Sequence, residues 1–287
     1  MSPLPWFEYH SPKTLNEALT LMNTVDSPKP IIGGTDLLPL MRDGASHPAN
    51  IVDINNIAEL NYIREDEGFI CVGATTSLSQ LAVSPHMKRV HALAEAVKGI
   101  GSPQIRNRGS LAGNLCNASP AADSAPALLV YDAEVKLESV NDERIIPLHE
   151  FFVGPKVNSL EPNELLTEVR FPQPPEDSGS SFKRIGRRRS FTLSVVSAAV
   201  YLEMDGDVCL ESRVAFGSVA ETPIRATDLE TMLKGKELVE DLISDAGRKA
   251  KDFVHPITDI RGTAEYRRDM CEVLLTRALY KALERAR

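Results

Sequence analysis

The chain has 287 residues, 43% of them hydrophobic, and a formal net charge of −8. That length allows two or three compact domains with a sizeable core, and the acidic balance argues against nucleic acid or an anionic membrane as the main partner. No run reaches transmembrane length, residues 1–8 carry neither a basic region nor a signal-like apolar stretch, and the four cysteines and six histidines form no metal-binding pair. The expectation is a cytoplasmic protein with reduced thiols, no membrane insertion and no metal site of its own.

Thr14 and Glu17 frame a capping box, and Leu15, Ala18, Leu19 and Met22 follow at helical spacing, so a helix is predicted over 14–24. Pro30-Ile31-Ile32 reads as the end of a buried strand. Gly33-Gly34 reads as a turn, and Thr35 or Asp36 as the cap of a helix opening with Leu37-Leu38. Such a turn leaves backbone N–H groups free at a partly positive helix end, which suits a phosphate. Asn50 to Ile54 is a short strand. Asp53 stands 20 residues after Gly33, but the G-x-G-x-x-G spacing of a Rossmann unit is absent. A small α/β unit fits this segment better.

Strands are predicted at Tyr62-Ile63 and Phe69 to Gly73, followed by a helix capped by Ser77 and another from Val90 to Val97 that stops at Gly99. Residues 101–123, rich in glycine, asparagine and serine, read as a long anchored loop. Small residues at 109–113 let backbone approach a ligand, and Asn114 and Asp123 suit ligand hydroxyls, although each taken singly also suits a turn or a cap. Asp123 or Ser124 is expected to cap the apolar helix that follows. Alternation over 135–139 and apolar runs at 145–148 and 164–171 give three more strands. Residues 172–181 read as a linker and a domain boundary. The basic stretch 182–189 is either a charge-protected edge strand or electrostatic help for an anionic cofactor. A hairpin turning at Asp205-Gly206-Asp207 and helical patterns near 226–233, 237–251 and 263–285 complete the chain.

Four stretches carry a resemblance. They are Ile32-Gly33-Gly34-Thr35-Asp36, then Ser110-Leu111-Ala112-Gly113-Asn114 after Pro103-Gln104-Ile105-Arg106-Asn107-Arg108-Gly109, then Ser119-Pro120-Ala121-Ala122-Asp123, and Arg261-Gly262 with Ala264-Glu265-Tyr266-Arg267. In this order they resemble the motifs of the FAD-binding medium subunits of molybdenum hydroxylases, the xanthine dehydrogenase and carbon monoxide dehydrogenase family. The resemblance covers essentially the whole chain. It implies an α+β fold of the FAD-binding PCMH type, with two α/β subdomains (1–57 and 58–176) and a C-terminal domain (177–287) of antiparallel sheet with helices.

The resemblance further implies that FAD is the cofactor. The backbone of Ile32, Gly33, Gly34, Thr35, Asp36 and Leu37, and that of Ser110, Leu111, Ala112, Gly113 and Asn114, would hold its pyrophosphate. A Cβ at Gly33 would then stand where that pyrophosphate approaches. Ile100 and Leu166 would pack on the flavin or adenine, Asp123 would bond a hydroxyl of FAD, and Lys183 would lie near the isoalloxazine ring. Two positions depart from the pattern. Ala112 replaces a glycine, which is tolerable at negative φ. Asp36 stands where the family often has serine, and its carboxylate is expected to point away from a phosphate or to cap the helix. No cysteine-rich insertion for an extra cluster precedes Asp123.

By the same resemblance the chain is the FAD-carrying electron-transfer subunit of an oxidoreductase complex. A large subunit would hold the molybdenum cofactor, and a small subunit would hold the [2Fe–2S] clusters that feed electrons to this chain. The assembly would be a dimer of heterotrimers that delivers electrons to an external acceptor. No nucleophile or acid–base pair stands out, so no catalytic residue is assigned. A stand-alone flavin oxidoreductase and a nucleotide-binding regulatory module are the alternatives. Activity of the isolated chain on an organic substrate marks the first, and preference for another nucleotide marks the second.

Overall fold

The structure is a computed structural model that describes residues 4–188 and 191–287. Arg189, the end of the basic stretch, lies outside the described residues.

The first sheet is parallel. It holds β1 (Glu8–His10), β2 (Pro28–Ile31) and β3 (Asn50–Asp53) in the order β1-β3-β2, connected through α1 (Leu15–Thr24) and α2 (Leu37–Arg42). Pro28 and Pro30 are tolerated because β2 is an edge strand and loses no ladder bond on its open side. Ala18, Leu19 and Met22 of α1 form one core with Val52 and Ile54. Thr14 caps α1 by accepting from the Glu17 N–H. The return bond of the predicted capping box goes one residue early, because the Glu17 carboxylate accepts from the Lys13 N–H at 2.7 Å. Asp53 is occupied structurally, accepting from the Tyr9 hydroxyl and the Asn55 N–H.

The second sheet is antiparallel, ordered β4-β5-β10-β6-β7. Its strands are β4 (Ile63–Asp66), β5 (Phe69–Gly73), β6 (Glu134–Glu138), β7 (Glu143–Pro147) and β10 (Leu165–Pro172). The short helix α8 (Leu148–Phe151) and a small hairpin, β8 (Phe152–Gly154) and β9 (Val157–Asn158), follow β7. One face carries α3 (Leu78–Val83), α4 (His91–Gly99), α6 (Leu111–Cys116) and α7 (Ser124–Leu129), and Val72, Val135, Leu137, Val169 and Phe171 fill the core beneath them. The segment predicted as one long loop contains two short helices, α5 (Pro103–Arg108) and α6. Ser102 and Ser110 cap them through the N–H groups of Ile105 and Gly113, and Pro103 sits in the first turn of α5, where no N–H is missed.

The third sheet, β11 (Ser178–Gly186), β12 (Ser194–Asp205), β13 (Val208–Gly217) and β14 (Ile224–Arg225), is an antiparallel sequence in that order. The predicted linker is therefore shorter than expected, because Ser178 to Ser181 are buried and paired with residues 200–203 of β12. Helices α9 (Thr227–Leu233), α10 (Glu240–Lys249) and α11 (Ala264–Ala286) follow. Strand β12 is buried on both faces. Val196, Ala198, Val200 and Leu202 face the α11 side, whereas Ala199 and Tyr201 belong to the core of the second sheet. A strand covered on both sides has no polar face, which explains the apolar run from Ala198 to Leu202.

Among the described residues no helix is long and apolar enough to cross a membrane, and no group of histidine, cysteine and carboxylate side chains is arranged to hold a metal ion.

Candidate functional site

The two glycine-bearing segments meet although Gly33 and Arg108 stand 75 positions apart in sequence. Gly33 follows β2 and lies directly on the end of α5: a Cβ built on it would stand 1.9 Å from the Arg108 carbonyl oxygen and 2.9 Å from the Gly109 nitrogen. Gly109 is in turn close to Thr35, whose Oγ1 would be 3.5 Å from a Cβ there. The absent side chain at Gly33 therefore makes room for another stretch of the protein. This corrects the expectation that it clears space for a ligand alone. Gly34 has φ +68°, the left-handed region that a glycine adopts without strain.

Among the described residues the backbone N–H groups of Gly33, Gly34, Thr35, Asp36 and Leu37 have no protein acceptor; the first bond back into the turn is from the Leu38 N–H to the Gly34 carbonyl. The Ala112 N–H, in the first turn of α6 and 1% exposed, is likewise without an acceptor. Polar hydrogens of this kind are costly to leave unmatched when buried. Ala112 is helical and absent from the residues at positive φ, so its methyl group costs no strain. Ser110 and Leu111 are buried beside it, and Gly113 gives its N–H to the Ser110 hydroxyl. Asn114 accepts from the Ser124 hydroxyl at 2.5 Å.

Asp36 occupies the N-cap position of α2 but makes no cap bond. Its Oδ1 accepts from the Asn117 amide at 3.1 Å. Ile32 packs partly buried against the core of the first sheet.

The remaining predicted site residues gather elsewhere. Ile100 is the C-cap of α4, and its carbonyl accepts from the Arg106 guanidinium at 3.0 Å. Asp123 is 4% exposed and does not cap α7. Its two oxygens are taken by Arg184 (2.8 Å) and the Ser194 hydroxyl (2.6 Å), both from the third sheet. Burial pushes the Asp123 carboxyl upward, against the opposing pull of Arg184 and of the Ser194 and Ser197 hydroxyls. Arg184 also donates to the Gly99 carbonyl at 2.8 Å, so it ties Asp123 to the end of α4. Lys183, next along β11, lies 3.8 Å from Glu95. Leu166 is 4% exposed inside the core of the second sheet and pairs with Leu137, which makes it a packing residue beneath the helices.

Sequence reasoning missed Arg108 as the surface on which Gly33 rests, and it missed Asn117 and Lys156, whose Nζ donates to Asn117 Oδ1 at 2.9 Å. Asn117 was visible as a polar residue between two motifs. Nothing in the sequence marked Lys156. Two clefts of about 370 and 440 Å3 open away from the glycine turns, one beside Tyr62, Arg64 and Thr167 and the other beside Arg213 and Arg225. Much of their lining is already ion-paired, as in Arg64–Glu168 and Arg225–Glu230.

Comparison with known proteins finds relatives along essentially the whole chain. Residues 5–174 match the family described as the FAD binding domain in molybdopterin dehydrogenase, and residues 180–282 match the carbon monoxide dehydrogenase flavoprotein C-terminal domain. The chain is 33% identical over 283 residues to the carbon monoxide dehydrogenase medium chain of Hydrogenophaga pseudoflava, covering 98% of each. It is 35% identical over 286 residues to the 6-hydroxypseudooxynicotine dehydrogenase complex subunit alpha of Paenarthrobacter nicotinovorans, covering 99% of this chain and 96% of the other. A solved carbon monoxide dehydrogenase from Hydrogenophaga pseudoflava superposes with a TM-score of 0.94 at 33% identity, over 99% of both chains.

Proposed function

The chain belongs to the FAD-binding medium subunits of the molybdenum hydroxylases, and from that membership we propose that it is the electron-transfer subunit of a three-subunit oxidoreductase. In this reading a small partner subunit carries the [2Fe–2S] clusters that supply electrons, and a large partner carries the molybdenum cofactor where the organic substrate is oxidised. The chain passes the electrons to an external acceptor, in the cytoplasm, within a dimer of heterotrimers. The relatives' own names support a shared assembly with differing substrates: one is a medium chain of carbon monoxide dehydrogenase, the other a subunit of a complex acting on a hydroxylated nicotine derivative. Substrate choice therefore belongs to another chain of the complex.

The observation that carries this reading is the run of unmatched N–H groups from Gly33 to Leu37, on a turn that Gly33 seats against the end of α5, together with the unmatched N–H of Ala112 in the helix that follows. Those residues fit a dinucleotide: several backbone donors with no protein acceptor suit a pyrophosphate. In the proposed site Ile32 to Leu37 and Ser110 to Asn114 form the two walls of the pyrophosphate cradle, joined through Gly33 and Arg108. Ile100 and Lys183 lie toward the flavin end. Asp123 acts there through Arg184, holding the third sheet against α4. The parts 1–57, 58–176 and 177–287 then serve as two walls and a cover. FAD, when bound, supplies the exchange of electrons singly and in pairs; the protein binds, orients and tunes it.

The test is a visible spectrum of the purified chain after incubation with FAD and removal of the excess, with the released cofactor identified. FAD at one equivalent per chain supports the reading. A folded chain that retains no flavin overturns it.

A further inference from the structure

Asp36 poses an electrostatic problem for the site just described. Its carboxylate belongs to the very run of residues whose N–H groups are unmatched, and it is exposed. An uncompensated negative charge there opposes any phosphate that approaches. The structure supplies a compensating charge from a distant part of the chain. Asn117 donates its Nδ2 to Asp36 Oδ1 at 3.1 Å and accepts at its Oδ1 from Lys156 Nζ at 2.9 Å. Only this orientation of the amide satisfies both neighbours, because the reversed one would turn a carbonyl toward the carboxylate and an NH2 toward the ammonium.

Lys156 is held in place to do this. It sits in the turn between β8 and β9 at φ +64°, and its N–H donates to the carbonyl of Ala118, itself at φ +43°. Asn158 adds a third tie, donating to the Cys116 carbonyl at 2.7 Å. Two non-glycine residues in the left-handed region, bonded to one another, are an unfavourable choice that the surrounding contacts maintain.

We propose that Asn117 and Lys156 form a charge-compensating clasp on Asp36, which keeps the glycine turn receptive to the pyrophosphate of FAD. They are positioning residues, and the inference rests on the FAD reading given above. The clasp also bridges the turn of the first sheet and the end of α6, so that loading the cofactor and joining the two walls draw on the same contacts.

The test is a double-mutant cycle read by fluorescence titration of FAD into flavin-free chain at low and high salt. Lys156→Met is expected to weaken FAD about three- to fivefold at low salt, the scale of an exposed charge pair, and less at high salt where the charge is screened. Asp36→Ser is expected to bind at least as tightly as the parent. Lys156→Met in the Asp36→Ser background is expected to change affinity hardly at all. Melting points of the flavin-free variants check that each is folded. Equal losses in both backgrounds, or no loss in either, overturn the clasp while leaving FAD binding by the parent chain intact. A parent chain that takes up no FAD overturns the functional reading and the clasp together.

Discussion

Gly33 rests its α-carbon on the carbonyl of Arg108, so close that a Cβ would stand 1.9 Å from that oxygen. The contact joins the turn after β2 to the end of α5, and it is made by protein alone. Gly33→Ala must therefore push the two segments apart even in flavin-free protein. A loss of about 1–3 kcal/mol is expected, the usual scale for overpacking a fitted contact, together with weaker FAD retention. Thermal unfolding of the flavin-free variant separates this from ligand clearance. An unchanged melting point with reduced FAD affinity would return Gly33 to a purely ligand-facing role.

Much of this arrangement was legible in the sequence because it is written locally. The alternation of Val135 and Leu137 with charged neighbours gives β6, and Asp205-Gly206-Asp207 gives the β12–β13 hairpin with Gly206 at φ +58°. Residues 101–123 were misread because glycine, asparagine and serine suggest coil. Yet Ser102-Pro103 and Ser110 are helix-start signals, a cap with proline in the first turn and a second cap eight residues on. What no local rule reveals is pairing at long range. Asp123 reads as a cap or a ligand contact until Arg184 is brought to it from β11, and no local signal links Glu95 of α4 to Arg285, 190 residues on in the last helix.

The Glu95–Arg285 pair gives a pH-dependent prediction. The Glu95 carboxylate accepts from Arg285 at 2.6 Å and from the Phe182 N–H at 2.8 Å, with Lys183 nearby. Burial pushes its carboxyl up, but these partners together outweigh burial and hold it below the ordinary carboxylate range. A depressed carboxyl contributes stability above its unfolded value, about 4.3, and that contribution is lost as pH falls through the folded value. Glu95→Gln is expected to cost about 1–2 kcal/mol at neutral pH. Urea midpoints of parent and variant should converge as pH falls below about 4. A gap that stays constant with pH would mean that shape, and not charge, holds α4 to the third sheet.

Arg267 offers a stability test away from the glycine turns. It is 3% exposed, and its guanidinium donates to the Val195 and Ser218 carbonyls at 3.0 and 2.7 Å and pairs with Asp259 at 2.6 Å. One group thus fixes the start of α11, the start of β12 and the turn at Asp259. Arg267→Met keeps much of the volume but takes the guanidinium donor from two carbonyls and leaves the Asp259 carboxylate to Arg261 alone. The expected loss is about 3 kcal/mol, with faster amide exchange confined to residues 255–263 and 194–196. Loss of less than about 0.5 kcal/mol would show that solvent replaces the guanidinium at little cost.

The thiols test whether α6 is as firmly seated as the proposed site requires. Cys71, Cys116, Cys209 and Cys271 are all free. Burial pushes the Cys116 thiol up to about 12, against a slight opposing pull from Lys29, and it pushes Cys71 and Cys209 to about 11 and Cys271 to about 12. Because the thiolate is the reactive form, a thiol-specific dye at pH about 8 should label native protein only slowly and all four cysteines once the chain is denatured. Cys116 is the informative one, since it closes α6 immediately before Asn117 and takes the Asn158 tie on its carbonyl. A fast labelling phase that disappears in Cys116→Ala would mean that the end of α6 opens readily, and the unmatched N–H of Ala112 would then find water instead of waiting for a phosphate. Slow labelling, unchanged by adding FAD, would mean that the helix wall is set before the cofactor arrives.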